Sequence, residues 1–180
     1  NIADMWRDYL RISAELHFPL DDNYYLMPPD LKKAHNRVVK IKLERDKQRE
    51  KERNRRMTAL ISKLKSEIDT SRMSTKKYIV VLPTSADDLI NEGEHNHNCV
   101  GTYVERVAKK ETLILFIRKR DDPKTPFYTL EWNNGRVIQC RGKYNVNAEG
   151  GIREFADKIS RILRAQEEEN DNAWNISKVG

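Results

Sequence analysis

At 180 residues the chain has room for one domain with an ordinary core plus an appendage, and is short for two domains. Charged residues make up 34% of it and the net charge is +6, yet apolar residues gather in periodic runs, which excludes a chain disordered throughout. No apolar run approaches the roughly 20 residues that cross a bilayer and no secretory leader pattern opens the sequence, so the expectation is a cytoplasmic protein without a membrane partner.

The opening residues Met5, Trp6, Tyr9, Leu10 and Leu16 recur at the three-and-four spacing of an amphipathic helix, which Pro19 ends. Pro28, Pro29 and Asp30 suit the start of the next helix, whose pattern runs from about residue 30 to 68. Leu31, Ala34, Val38 and Ile41 form one apolar stripe and Met57, Leu60, Ile61, Leu64 and Ile68 a second. Between them, residues 44–56 hold no apolar side chain, so the middle of this helix has nothing to pack on a core. One long solvated helix or a hairpin bent near residues 53–56 both fit, and the lack of Gly or Pro favours the first. Residues 31–65 carry 14 Lys and Arg against 4 Asp and Glu, whereas 76–180 carry 17 against 16, so the basic character belongs to this helix.

Residues 70–75 read as a linker, and 78–82 as a buried strand stopped by Pro83. Ser85 with Asp88 has the form of a capping box and opens a short helix that Gly93 is expected to end. Val100, Tyr103, Val104 and Val107 share a helical face, which places a second helix at about 99–110. Strands follow at 112–118, 127–132 and 136–141, the last two joined at Asn133, Asn134 and Gly135. A closing helix at about 151–166 sets Ile152, Phe155, Ile159, Ile162 and Leu163 on one face, and Trp174 is the residue of the acidic tail expected to dock. The fold class is α+β: a small, mainly antiparallel sheet of about four strands covered on one face by helices, with a long helical N-terminal arm. The expected division is an arm at 1–70, a core at 71–170 and a tail at 171–180.

The hairpin sorts side chains by face. A three-residue turn pairs Trp132 with Arg136, setting Thr129, Glu131, Gln139 and Arg141 on one face and Tyr128, Leu130, Trp132, Ile138 and Cys140 on the other. A two-residue Asn134-Gly135 turn mixes polar with apolar, so the first register is preferred. A polar face is commonly the wet side of an antiparallel sheet. If a helix packs over it, Glu131, Gln139 and Arg141 instead line a pocket with His97 and Cys99.

A cysteine at a helix N-terminus feels the positive end of the macrodipole, which lowers its pKa, and a neighbouring imidazole adds to this. Cys99 is therefore a candidate nucleophile with His97 as base and Glu131 or Gln139 to orient it. The competing fate of a lone cysteine is core packing. Two cysteines far apart, Cys99 and Cys140, fit a reducing compartment better than a disulfide framework. His95, His97 and Cys99 alternate, and in an extended segment they would face one way and could hold zinc with Cys140 as fourth ligand, although the spacing matches no established finger. On the long helix, Lys47, Arg49, Lys51, Arg53, Arg55 and Arg56 are candidates to meet phosphates. Interleaved Glu44, Asp46, Glu50 and Glu52 weaken that field, and a mixed-charge helix is also a common solvated spacer.

In order along the chain these residues resemble the PcfJ-like family, proteins carried by conjugative plasmids, integrative elements and phages of Firmicutes and other bacteria. Trp6-Arg7-Asp8-Tyr9-Leu10 and Pro28-Pro29-Asp30-Leu31 with His35 resemble the family's helical lead. Glu92-Gly93, His97-Asn98-Cys99-Val100-Gly101 with Tyr103, Ile117-Arg118, Tyr128-Thr129-Leu130-Glu131 and Gln139-Cys140-Arg141-Gly142 with Asn145 resemble its main block. The resemblance implies a mobile-element setting and marks His97, Cys99, Glu131, Gln139, Arg141 and Asn145 as recurrent polar positions, with no reaction attached. Three functions follow as expectations: an accessory protein that contacts nucleic acid or a nucleoprotein partner through the arm, a thiol-dependent enzyme using Cys99 with His97, or an inhibitor that docks onto a host defence protein, with a conjugation protein as the other expected protein partner.

Overall fold

The side chain of Asn1 accepts a hydrogen bond from the Asp4 N–H while Asp4 reaches back to the first residue, a capping box that opens helix α1 (Ile2–Glu15). The computed structural model describes residues 1–177, and of 171–177 the backbone alone. Two units divide the chain, Asn1–Arg53 and Asn54–Gly180. In the first, Tyr9 and Ile12 of α1 bury against Val38 of α3 (Leu31–Ile61), with Trp6, Leu10, Phe18 and Leu31 packed around them. Between these helices lies the short α2 (Asn23–Leu26). It is tied to α1 where Tyr9 Oη donates to the Tyr25 carbonyl at 2.7 Å and Trp6 Nε1 donates to the Leu26 carbonyl at 3.0 Å.

Helix α3 is continuous, as the absence of Gly and Pro predicts, and no hairpin interrupts it. It stops at Ile61 rather than running on to 68, and one further turn, α4 (Leu64–Glu67), follows after a break.

The second unit is built on a four-stranded antiparallel sheet in the order β1-β2-β3-β4. Its strands are β1 (Tyr78–Val81), β2 (Leu113–Lys119), β3 (Tyr128–Asn133) and β4 (Arg136–Gly142). Between β1 and β2 run α5 (Ala86–Asn96), a 3₁₀ turn (Cys99–Tyr103) and α6 (Val104–Ala108), and α7 (Gly150–Ser177) follows β4. Trp174, the expected docking residue, lies outside the side chains described.

The sheet is covered on both faces, where the sequence reading has helices on one. Leu115, Ile117, Leu130 and Trp132 pack under Phe155, Ile159 and Leu163 of α7. Ile114 and Phe116 pack on the other side against Leu89 of α5, Val100, and Val104 and Val107 of α6. The cause is the unbroken apolar run of β2, which buries both of its faces.

Three local features depart from the predicted pattern. Ser85 and Asp88 form the expected capping box, but α5 runs through Gly93 to Asn96 and ends on His97, whose φ of 50° makes it the left-handed cap. Gly93 is there for space: a Cβ on it would lie 2.8 Å from the backbone nitrogen of Gly101. The segment starting at Cys99 is a 3₁₀ turn before it is α-helical. In the hairpin, Asn134 (φ 49°) and Gly135 (φ 74°) make a two-residue turn, so Asn133 pairs with Arg136 and Trp132 with Val137, not with Arg136. A bulge between Glu131 and Trp132 then shifts the register, and Glu131 pairs with Gln139 and Thr129 with Arg141. Ile138 takes the extra position and stands 46% exposed, while Val137 joins the core in its place.

Candidate functional site

Two buried carboxylates, one on α5 and one on β3, lie between the sheet and the helices on the α5 and α6 side, and each is fully engaged. Glu92 of α5 is 1% exposed and forms an ion pair with both terminal nitrogens of Arg118 on β2, one of them 3.1 Å away. It also accepts from Thr129 Oγ1 at 2.8 Å and from Asn96 Nδ2 at 3.0 Å. A carboxylate this deep is tolerable only when its charge is paired and its lone pairs are filled, and both conditions are met. The Arg118 guanidinium lies 4.7 Å over the Phe116 ring. Asn96 Oδ1 is buried with no partner among the described residues.

Glu131 of β3 is 4% exposed. One oxygen accepts from Thr112 Oγ1 at 3.0 Å and Arg106 Nη2 at 3.4 Å, the other from Gln139 Nε2 at 2.8 Å. Gln139 also donates to the Tyr103 hydroxyl at 3.5 Å. Alternation finds Thr129, Glu131 and Gln139 but not Glu92, Asn96, Arg106, Thr112 and Arg118, of which Glu92 and Arg118 enter only through the family resemblance. A signal for two of them exists: Glu92 follows Leu89 by three on an apolar helix face, and Arg118 continues the alternation of Ile114 and Phe116.

Above Glu131 a narrow cleft of about 30 Å³ is lined by Asn98, Cys99, Tyr103, Thr129, Glu131, Gln139, Arg141 and Asn145. It adjoins an open depression of about 570 Å³ lined by Glu94, His97, Asn98, Cys99, Thr102 and Asn145. Cys99 is exposed and belongs to both. Asn98 fixes the approach by capping the 3₁₀ turn, its Oδ1 accepting from Val100 N at 3.1 Å. Arg141 donates to the Asn145 carbonyl at 3.4 Å and to Asn147 Oδ1, which folds the loop after β4 back over the strand.

The structure thus brings Cys99 together with Thr129, Glu131, Gln139, Arg141 and Asn145. His97 does not line the narrow cleft but shares the adjoining depression with Cys99 and Asn145, and its ring lies flat on Tyr144, centroids 4.6 Å apart and planes 4° from parallel. Glu131 and Gln139 hold each other and do not orient the imidazole. His97, Tyr144 and Asn145 all have left-handed backbone, at φ 50°, 55° and 60°, a concentration of uncommon geometry for side-chain-bearing residues around one rim.

The zinc reading needs residues 95–99 extended, whereas His95 is helical and His97 is a helix cap. Cys140 pairs with Leu130 on the opposite face and packs against the α7 core, where burial pushes its thiol up to about 12. Among the described residues no three His, Cys, Asp or Glu side chains converge.

On α3, Lys47, Arg49, Lys51, Arg53, Arg55 and Arg56 are all exposed. Their spacing makes two stripes, Lys47, Lys51 and Arg55 on one and Arg49, Arg53 and Arg56 on the other. Arg53, Arg55 and Arg56 also interact within the chain.

The sequence profile of the PcfJ-like protein family matches residues 5–155, which takes in α1, α3, the whole sheet and the cleft. The chain belongs to the PcfJ-like family. An uncharacterized protein of Listeria innocua serovar 6a, Lin1253/Lin1744, is 30% identical to this PcfJ-like chain over 161 residues. That stretch is 88% of this chain and 34% of the relative, so the chain spans about a third of the length of the curated protein it matches. No solved structure matches this PcfJ-like chain.

Proposed function

We propose that this PcfJ-like chain is an accessory protein of a mobile element that contacts nucleic acid, or a nucleoprotein complex, through α3 in the cytoplasm. The observation that carries the reading is one continuous helix whose residues 44–56 have no apolar side chain and whose six cations at 47–56 are exposed in two stripes. A helix face with nothing to bury and charge in rows suits a phosphate backbone, which it meets without reading sequence. Glu44, Asp46, Glu50 and Glu52 temper the field, so the affinity is modest and salt-sensitive. Fluorescence anisotropy with generic duplex and single-stranded DNA tests it. Affinity should drop by orders of magnitude between about 50 and 200 mM salt, because each phosphate contact releases counterions. Absence of binding at the lowest salt ends the reading.

A second reading, thiol chemistry at Cys99, is favoured by one observation: this thiol is exposed where the cleft opens, beside Gln139 and Tyr103. Iodoacetamide should then label Cys99 in the native protein faster than a free cysteine peptide at neutral pH, and Cys140 only after unfolding. His97→Ala separates the sources of any advantage. If Cys99 labels no faster than the peptide, the thiol is a bystander and the second reading fails.

A further inference from the structure

The first unit holds a groove of about 370 Å³ whose walls include Phe18, Tyr24, Tyr25 and Pro28 and whose rim carries Lys33 and Arg37. The aromatic side chains interlock edge-to-face, Phe18 to Tyr25 at 5.6 Å and Tyr25 to Tyr24 at 5.3 Å, which leaves Tyr24 62% exposed. The seat is rigid, because the bonds from Tyr9 and Trp6 to the α2 carbonyls hold Tyr25 and Leu26 in place. Lys33 and Arg37 are exposed, one helical turn apart, and neither has a carboxylate within ion-pair distance among the described residues. Elsewhere in the unit Arg7 is paired with Asp4, Arg11 with Asp8 and Glu15, and Lys42 with Glu15. Asp30, which also lines the groove, caps α3 by accepting from the Lys33 N–H at 2.9 Å.

We infer that this groove seats single-stranded nucleic acid, a base stacking on Tyr24 and the backbone phosphates meeting Lys33 and Arg37. The inference rests on the nucleic-acid reading above and names the form of the strand. Exposed aromatic rings beside unmatched cations are what an unpaired strand uses, since every base offers a π-face and every link a phosphate. A duplex keeps its bases stacked and offers a ring nothing to receive. A proline-rich peptide would suit the rings but leave both cations without a counter-charge.

Anisotropy of fluorescein-labelled oligothymidylate and of duplex DNA of equal length, on the whole chain, tests this. The wild type should bind the single strand more tightly. Tyr24→Ala should weaken single-strand binding by roughly 5- to 150-fold and leave duplex affinity and the melting curve unchanged, because the ring is largely exposed. Lys33→Gln with Arg37→Gln should flatten the single-strand salt slope by about 1.4. Binding of both forms with no effect of Tyr24→Ala overturns the inference and leaves the nucleic-acid reading standing, whereas no binding of either form removes both. Tyr24-dependent binding of an oligoproline peptide, with none of oligothymidylate, overturns it in favour of a protein partner.

Discussion

Glu92 and Arg118 stand 26 residues apart in sequence and meet with almost no exposure, so neither charge is at ease without the other. Arg118→Met should therefore strand a buried carboxylate and cost about 3–5 kcal/mol in urea denaturation. Glu92→Leu combined with Arg118→Met should recover most of that loss, because the desolvation of both charges disappears with them. A single replacement that leaves the denaturation midpoint unchanged would mean that water reaches the pair. At this scale the sequence reveals half of the site. Alternation along β3 and β4 finds Thr129, Glu131, Gln139 and Arg141, because a strand puts every second residue on one face. It does not find the partners of Glu131, since Arg106 and Thr112 reach it from other elements, nor Arg118, whose partner is Glu92. Helix α5 also runs one turn further than expected, and the His97 ring lies flat on Tyr144.

At the scale of elements the competing local rules decide. Glycine in a helix usually signals its end, but in α5 the backbone of Gly101 approaches so closely that only Gly93 fits. Gly93→Ala gives a sharp test, because helix propensity alone would stabilise by about 1 kcal/mol. The clash should outweigh it and destabilise the protein by about 1–3 kcal/mol in thermal or urea melts. A more stable variant would show that the two backbones have room to part. The hairpin teaches a related lesson. Asn134-Gly135 is the stronger turn signal, and the mixing of faces that it threatened is removed by one bulged residue, which alternation counts cannot reveal. Burial on both sides of the sheet was legible in the apolar run Leu113 to Ile117, which leaves no polar face for water.

For the whole molecule, membership of the PcfJ-like family covers the helical lead and the sheet alike, while this chain spans about a third of its Listeria relative. The fold class follows from periodicity, and the unbroken α3 from its lack of Gly and Pro. The function assigned to that helix rests on its charge rows, and one measurement bears on it most directly: the salt dependence of duplex binding for the wild type and for the variant Arg49→Gln, Arg53→Gln, Arg55→Gln, Arg56→Gln. If α3 meets phosphates, the variant should bind more weakly at low salt and its log–log slope should flatten by as much as about 3.6. A variant with the affinity and slope of the wild type would contradict this and place any nucleic-acid contact elsewhere on the chain.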